Sequence, residues 1–264
     1  MRIVVLVKQV PDAPEPRLAG GRPALDGVPW VTNPFDLHGL EEALRIKEQL
    51  GDIVETMALT AGGARAAETL REALAVGIDR VLRIDAPELQ GLETGLVTVA
   101  RVLAAAIRRL GGADLLFCGQ KSLDQQSGML PPALAEAIGA CFIPDAAKIT
   151  VDPSLGRVAV ERLLPTGRAQ LRACLPAVIT LAKTINEPRL ASLRGLMKAK
   201  RAEIPCVTPD ELGVPLPGAS GPGDGYALLG FRSPPSRPAA MKLEGTPAEQ
   251  ARALVHQLRQ GRLL

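Results

Sequence analysis

Ile3-Val4-Val5-Leu6-Val7 is a run of five aliphatic residues with no polar interruption. A run this short and this uniformly apolar reads as a strand covered on both faces, the kind found in parallel sheets flanked by helices. The residues that follow repeat the theme. Asn33-Pro34 supplies an N-cap and a first-turn proline for a helix over 33–50, with Leu37, Leu40, Leu44 and Leu50 inward and a Glu41–Arg45 pair outward. A second strand over 54–61 ends at Gly62-Gly63. A helix over 64–76 then sets Ala66, Leu70 and Leu74 on one face and stops at Gly77. A third strand spans 81–84. The helix expected over 92–110 carries Leu92, Leu96, Val99, Leu103, Ile107 and Leu110 at steps of three and four, closed by Gly111-Gly112. Leu115-Leu116-Phe117-Cys118 is a fourth strand ending at Gly119.

Strands alternating with helices of this length imply an α/β fold with a doubly wound, mostly parallel sheet. Its crossovers are right-handed because strands twist, and its ligands collect beyond the carboxyl ends of the strands. Here those ends are Val7-Lys8, Ala61-Gly62-Gly63 and Gly119-Gln120. Beyond residue 140, strands over 147–151, 157–163 and 170–181 are expected to extend the sheet antiparallel, with turns at Asp152-Pro153 and Thr166-Gly167. Residues 204–240 are dense in Pro and Gly and read as an extended arm. Thr246, Pro247 and Glu249 form a capping box opening a short helix with Ala251, Leu254, Val255 and Leu258. With little of its own chain left to cover, this end is expected to clasp a partner subunit.

Composition narrows the function by exclusion. The 264 residues are 47% hydrophobic and 22% charged, enough for a sizeable core. Aromatics make up 2%, too few for base-stacking platforms, and 31 basic against 28 acidic residues leave no nucleic-acid footprint. His38 and His256 are the only histidines, which removes three-histidine and HExxH metal sites. Cys118, Cys141, Cys174 and Cys206 form no CxxC pair and read as buried, reduced thiols. No signal peptide or membrane span is expected, so a soluble, cytoplasmic location is. The fingerprints GxGxxG after the first strand, GxxxxGK[ST] and GxSxG are absent. The glycine-rich stretch 218–225 lacks the strand and helix a phosphate loop needs. No catalytic residue and no metal ligand emerges, and a carrier or binding role moves forward.

Four stretches then fit together: Val7-Lys8-Gln9-Val10-Pro11-Asp12; Asn33-Pro34-Phe35-Asp36 with Glu41-Glu42-Ala43-Leu44; Cys118-Gly119-Gln120-Lys121-Ser122-Leu123-Asp124; and Asn186-Glu187-Pro188-Arg189-Leu190-Ala191-Ser192-Leu193-Arg194-Gly195-Leu196-Met197-Lys198-Ala199-Lys200. In this order and spacing the chain resembles the beta subunit of electron transfer flavoproteins. The resemblance implies a Rossmann-like adenine-nucleotide domain over 1–203 and an arm over 204–264 contacting an alpha subunit. It also implies a heterodimer whose redox-active FAD is held with that alpha subunit, and AMP or a second FAD in this subunit. The implied nucleotide pocket is Leu6, Asn33, Pro34, Phe35, Asp36 and Ala61, with Gly119, Gln120, Lys121, Ser122, Leu123, Asp124, Gln125, Gln126, Ser127, Gly128, Met129 and Leu130. Asn33 and Asp36 suit adenine or ribose, and backbone N–H groups at the loop-to-helix junction suit phosphate. The stretch 186–200 corresponds to a recognition loop that docks acyl-CoA or related dehydrogenases. Leu193 is its implied apolar anchor, and Arg194, Lys198 and Lys200, with Arg189 and Arg201, steer an acidic partner surface.

Two departures stand out. Family members commonly carry Asp-x-Asp-Thr-x-Gln-Val-Gly-Pro in the phosphate loop. Here Asp124 is kept and Ser127 replaces the threonine, while Gln126, Met129 and Pro131 remove a charge, an amide and a backbone donor. After Arg162 the usual acidic residues give way to Leu163 and Pro165. The opening motif and the loop 192–198 look closer to the electron-bifurcating branch, in which the beta subunit holds FAD and NADH is oxidised. Two alternatives of another class are a nucleotide-hydrolysing domain and a nucleotide sensor. The first needs a Ser-Gly-Gly-x-Asp-Ser loop after the first strand, which Lys8-Gln9-Val10-Pro11-Asp12 is not; the second lacks the 180–264 extension. Lys8 reads as a solvated strand-end lysine, Asp124 as a loop brace and His38 as structural.

Overall fold

The computed structural model describes residues 1–13, 17–90, 95–214, 216, 229–233, 235 and 240–264. They form two compact units, one of residues 1–16 with 24–229 and a small one of residues 17–23 with 230–264.

In the first unit the chain runs β1 (Arg2–Leu6), β2 (Gln9–Pro11), then β5 (Trp30–Thr32) and α1 (Pro34–Leu50); the hairpin between them, β3 (Leu18–Ala19) and β4 (Arg22–Pro23), belongs to the second unit. Next come β6 (Glu55–Gly62), α2 (Ala67–Val76), β7 (Arg80–Asp85), α3 (Leu96–Arg109), β8 (Leu115–Gly119) and α4 (Leu130–Ile138). They are followed by β9 (Cys141–Asp152), β10 (Arg157–Leu164), β11 (Gly167–Cys174), β12 (Ala177–Leu181), α5 (Leu193–Arg201) and β13 (Cys206–Val207).

Nine of these strands make one sheet in the order β11-β10-β9-β12-β8-β1-β6-β7-β13. From β9 to β13 every pairing is parallel; β10 and β11 are antiparallel. The aliphatic run of β1 explains why. Ile3 and Val5 feed one core, with Leu40, Leu44 and Leu70 of α1 and α2. Val4 and Leu6 feed the other, with Leu103 and Ile107 of α3 and Leu134 of α4. A strand with apolar side chains on both faces needs helices on both, and this chain supplies them. Strand order reverses at β1, whose neighbours are β6 and β8, so the crevice between β1 and β8 is the topological switch point.

Several expectations change in detail. Residues 170–181 are two strands, not one: a cis Leu175–Pro176 peptide separates β11 from β12, and β12 enters the sheet as a parallel strand beside β8. The sequence pattern missed α4 and the early start of β9 at Cys141. The helix expected from residue 92 begins at Leu96, with Leu92 outside the described residues. The arm starts as sheet rather than as coil: β13 pairs with β7, Arg83 N–H donates to Pro205 O at 2.9 Å, and Leu212, Val214 and Leu216 pack on the core. The glycine-rich stretch 218–225 lies outside the described residues. Only Cys118 is buried; Cys141, Cys174 and Cys206 are exposed free thiols. Glu41 pairs with Arg45 at 2.7 Å as expected, but its carboxylate is covered, its side chain 4% exposed.

In the second unit α6 (Pro247–Gln260) opens with Glu249 accepting from both the amide and the hydroxyl of Thr246, each at 2.7 Å. None of its residues is buried, and Leu254 and Val255 are exposed.

Candidate functional site

The carboxyl ends of β1 and β8 are stitched together by the first turn of α1. Asn33 stands at the N-cap position, but its side chain does not cap the helix. It crosses the switch point instead: Nδ2 donates to Asp36 Oδ1 at 2.9 Å and to Lys121 O at 3.0 Å, and Oδ1 accepts from Leu123 N–H at 3.1 Å. Asp36 sits between the two strand ends. Its Oδ2 accepts from Lys8 N–H at 2.8 Å and its Oδ1 from Gly119 N–H at 3.1 Å. Burial pushes the Asp36 carboxyl up to about 7, against these N–H donors and the Lys8 charge, which pull it down. The Lys8 ammonium reaches both Asp124 oxygens, at 2.8 and 3.0 Å. It is therefore a latch on the loop after β8 rather than a free strand-end cation. Burial raises the Asp124 carboxyl, and the Lys8 charge and hydrogen bonds outweigh it, leaving a net lowering.

Close approach is what makes this stitching work. A Cβ on Gly119 would stand 2.3 Å from Asp36 Oδ1 and 2.8 Å from Phe35 Cβ, so only glycine fits there. Phe35 is buried beneath two ammonium groups, Lys183 at 4.7 Å and Lys121 at 5.7 Å from the ring centre. Gln120 Nε2 donates to Asp145 Oδ1, and Asp145, at φ 59°, marks the bulge where β9 shifts register.

The loop itself turns through two left-handed residues, Gln126 at φ 53° and Gly128 at φ 63°. Gln126 N–H donates to Ser122 O at 3.0 Å, and Gln126 Oε1 accepts from Lys121 at 3.1 Å, which holds the unfavourable conformer in place. Among the described residues the N–H groups of Ser127, Gly128 and Met129 meet no protein acceptor. Free amides in such a turn form a concave anion cradle, and the exposed Ser127 hydroxyl lies beside them. Such a cradle has the chemistry to take an anionic group such as a phosphate. The helix that follows contributes little to it: Leu130 opens α4, and Pro131 and Pro132 come next with no N–H to offer.

The structure thus gathers Asn33, Phe35, Asp36 and Gly119 with Lys121, Leu123 and Asp124 through direct contacts. Leu6 is buried at the end of β1, and Pro34 is exposed in the first turn of α1. Ser122 accepts from Gln125 N–H at 3.4 Å, and Met129 and Leu130 lead into α4. Ala61 lies on the same sheet edge, two residues beyond Leu59, the partner of Leu6. The polar atoms of Asn33 and Asp36 are occupied by protein partners, so these two residues brace the crevice from beneath.

A second surface is built on α5. Ser192 caps it, accepting from Gly195 N–H at 3.1 Å. A Cβ on Gly195 would lie 2.2 Å from Ala75 O, so the helix presses directly on the end of α2. Arg71 locks the other end by donating to Ala199 O at 2.8 Å and Ala202 O at 2.9 Å. With that side committed, Leu193 is left 76% exposed, joined by Leu190, Leu196 and Met197. Leu193, Arg194, Met197, Lys198 and Arg201 line one open groove, and Lys200 is exposed on the same helix. Arg189 is not free to steer a partner. Its guanidinium spans Glu41 at 2.7 Å and Glu48 at 2.6 Å on α1. Asn186 adds to the same clamp, donating to Glu42 Oε2 and His38 O, both at 3.0 Å, while its Oδ1 meets His38 Nδ1. Sequence reasoning missed this clamp, although Glu41, Glu42 and Glu48 on one helix opposite an arginine-bearing segment were the signal for it.

Among the described residues no group of three or more His, Cys, Asp or Glu converges to hold a metal, and no helix is long and apolar enough to cross a membrane.

Comparison with known proteins agrees with the geometry. Residues 24–212 match the family profile of the electron transfer flavoprotein domain, and the chain belongs to that family. Within it the chain belongs to the beta subunits, the electron-carrying rather than catalytic class. It is 34% identical over 252 residues to the human electron transfer flavoprotein subunit beta, covering 93% of this chain and 94% of that one. It is 35% identical over the same length, with the same coverage, to the subunit beta of Mus musculus. To that of Mycobacterium tuberculosis strain H37Rv it is 33% identical over 247 residues, 91% of each chain.

Proposed function

We propose that this chain binds an adenine nucleotide at the β1–β8 crevice and works as one half of a heterodimer, with an alpha subunit holding the redox-active FAD. The observation that carries the reading is the braced loop: buried Asn33 and Asp36 fix the strand ends, and among the described residues the N–H groups of Ser127, Gly128 and Met129 in the loop after β8 meet no protein acceptor. Those amides would take the phosphate and Ser127 would add a hydroxyl. Phe35 and the backbone around Gly119 would form the floor. A flavin held with the partner supplies the one- and two-electron chemistry; this chain's residues bind, orient and exclude water.

The exposed α5 surface supports a docking role toward dehydrogenases. An apolar anchor ringed by cations gives fast, salt-sensitive, readily reversed contact, as a shuttling carrier requires. The loss of N–H donors at Pro131 and Pro132 favours a mononucleotide held by loop amides over a helix-bound pyrophosphate. The arm and α6 are assigned to the alpha subunit, so removing residues 245–264 should weaken the heterodimer; unchanged dissociation on dilution would refute that assignment.

The nucleotide reading is tested by titrating AMP into the full-length chain and its Ser127→Pro variant, which removes one cradle donor and the hydroxyl. Saturable binding that weakens at least tenfold in the variant is expected. Absence of saturable binding to the unaltered chain refutes the reading.

A further inference from the structure

Among the described residues Arg162 meets no carboxylate. It lies on β10, where Val158 and Val160, four and two residues earlier, are in the core at 1% and 0% exposure. Arg162 follows where the pairing with β9 shifts register, and it is half-buried. Its Nε is buried and has no hydrogen-bond partner. The acids nearby are spoken for. Glu161, on the opposite face, accepts from Arg168 and from Gln170, the latter at 3.0 Å. Asp145 accepts from Gln120. Burying an N–H donor without an acceptor is costly, so the buried Nε–H of this half-exposed side chain calls for an acceptor from outside the described residues.

The position says where that acceptor stands. Arg162 pairs with Ala146, and Ala146 pairs with Leu181, so the guanidinium lies at the carboxyl end of β12, along the edge that carries the β1–β8 crevice. The next residue on the same face, Leu164, is 37% exposed, and Pro165 follows it into the turn. An arginine with a buried, unpartnered Nε–H bordered by an exposed leucine is the pattern of an interface anchor waiting to be covered.

We infer that Arg162 is an interface residue whose guanidinium receives a carboxylate side chain of the alpha subunit, with Leu164 packing beside that contact. This rests on the heterodimer proposed above. Covering the site supplies the missing acceptor and expels water, and a bidentate arginine–carboxylate pair fixes the register of the two subunits.

The test is the heterodimer of full-length chains, unaltered or carrying Arg162→Met or Arg162→Lys, with dissociation followed on dilution at low and high salt. Arg162→Met keeps the stem and removes the charge. It should weaken the heterodimer at least about 30-fold at low salt and flatten its salt dependence, with Arg162→Lys in between. In the isolated full-length chain Arg162→Met should leave the melting temperature unchanged or higher, because a buried Nε–H without an acceptor has gone. An internal structural role predicts the reverse pattern: a lower melting temperature and unaltered subunit affinity. That result overturns the inference. So does a variant that keeps its subunit affinity but loses bound adenine nucleotide, which would make the nucleotide the acceptor. If the unaltered chain forms no heterodimer, the heterodimer proposal falls and takes this one with it; a normal heterodimer indifferent to Arg162→Met removes this one alone.

Discussion

Asp36 joins two strand ends through one buried carboxyl, and its chemistry is set by what encloses it. Burial raises it from 3.8 to about 7. A carboxyl raised in the fold contributes stability that is fully present below its unfolded value of 3.8 and is lost as pH rises through about 7. A carboxyl-carbon NMR titration should therefore find the Asp36 midpoint near 7; a midpoint near 4 would mean that the N–H donors outweigh burial. Gly119 makes the same junction from the other side. Gly119→Ala puts a methyl 2.3 Å from Asp36 Oδ1 and should cost about 1–3 kcal/mol by overpacking. A urea midpoint equal to that of the unaltered chain would show that the crevice yields. The residues of this site were readable in the sequence as a set, through the motifs Asn33-Pro34-Phe35-Asp36 and Gly119-Gln120-Lys121. Their roles were not. Asn33 has the identity and position of an N-cap, and only the approach of the loop after β8 turns its side chain away from the helix. Lys8 likewise reads as a solvated cation until Asp124, 116 residues later, is folded onto it.

At the level of elements, α1 carries the crevice at its first turn and the clamp on 186–189 along its outer side. Burial raises Glu41, and the hydrogen bonds of Arg189 and Arg45 outweigh it, leaving its carboxyl below the usual range. A carboxyl lowered in the fold contributes stability above its ordinary value of 4.5, and that contribution is lost as pH falls through the lower folded value. Amides around Arg189 should thus exchange faster relative to the core as pH is taken below 4.5, after correction for intrinsic rates; unchanged protection would argue that the clamp is idle. The neighbouring helix α5 separates two effects by position. Leu193→Ala, at 76% exposure, should leave stability within about 0.5 kcal/mol while slowing electron transfer from the dehydrogenase proposed to dock there. Gly195→Ala should disturb stability too, since Ala75 O occupies the space. Equal transfer rates for Leu193→Ala and the unaltered chain would remove the anchor role. β1, β6, β7 and β8 were legible because each sends aliphatic residues into both cores. β11 and β12 merged because nothing in the local pattern marks the break at Leu175–Pro176 as a change of partner and direction. α4 was hidden by Pro131 and Pro132, which read as loop residues but occupy the first turn, where a missing N–H is tolerated.

Among the described residues of the larger unit, a mostly parallel sheet carries two open surfaces, the loop amides after β8 and the exposed side of α5. The fold class followed from the alternation of elements, and the family from motifs spread over most of the chain. In the small unit of residues 17–23 and 230–264, α6 was legible from its capping box, Thr246 with Glu249. Nucleotide content tests the central claim most directly. The heterodimer, co-expressed with its alpha subunit, is purified and heat-denatured, and the released FAD and AMP are quantified per dimer. One FAD and one AMP are predicted, the AMP held in the cradle of Ser127, Gly128 and Met129. One FAD with no AMP, or two FAD, would contradict a mononucleotide site in this subunit.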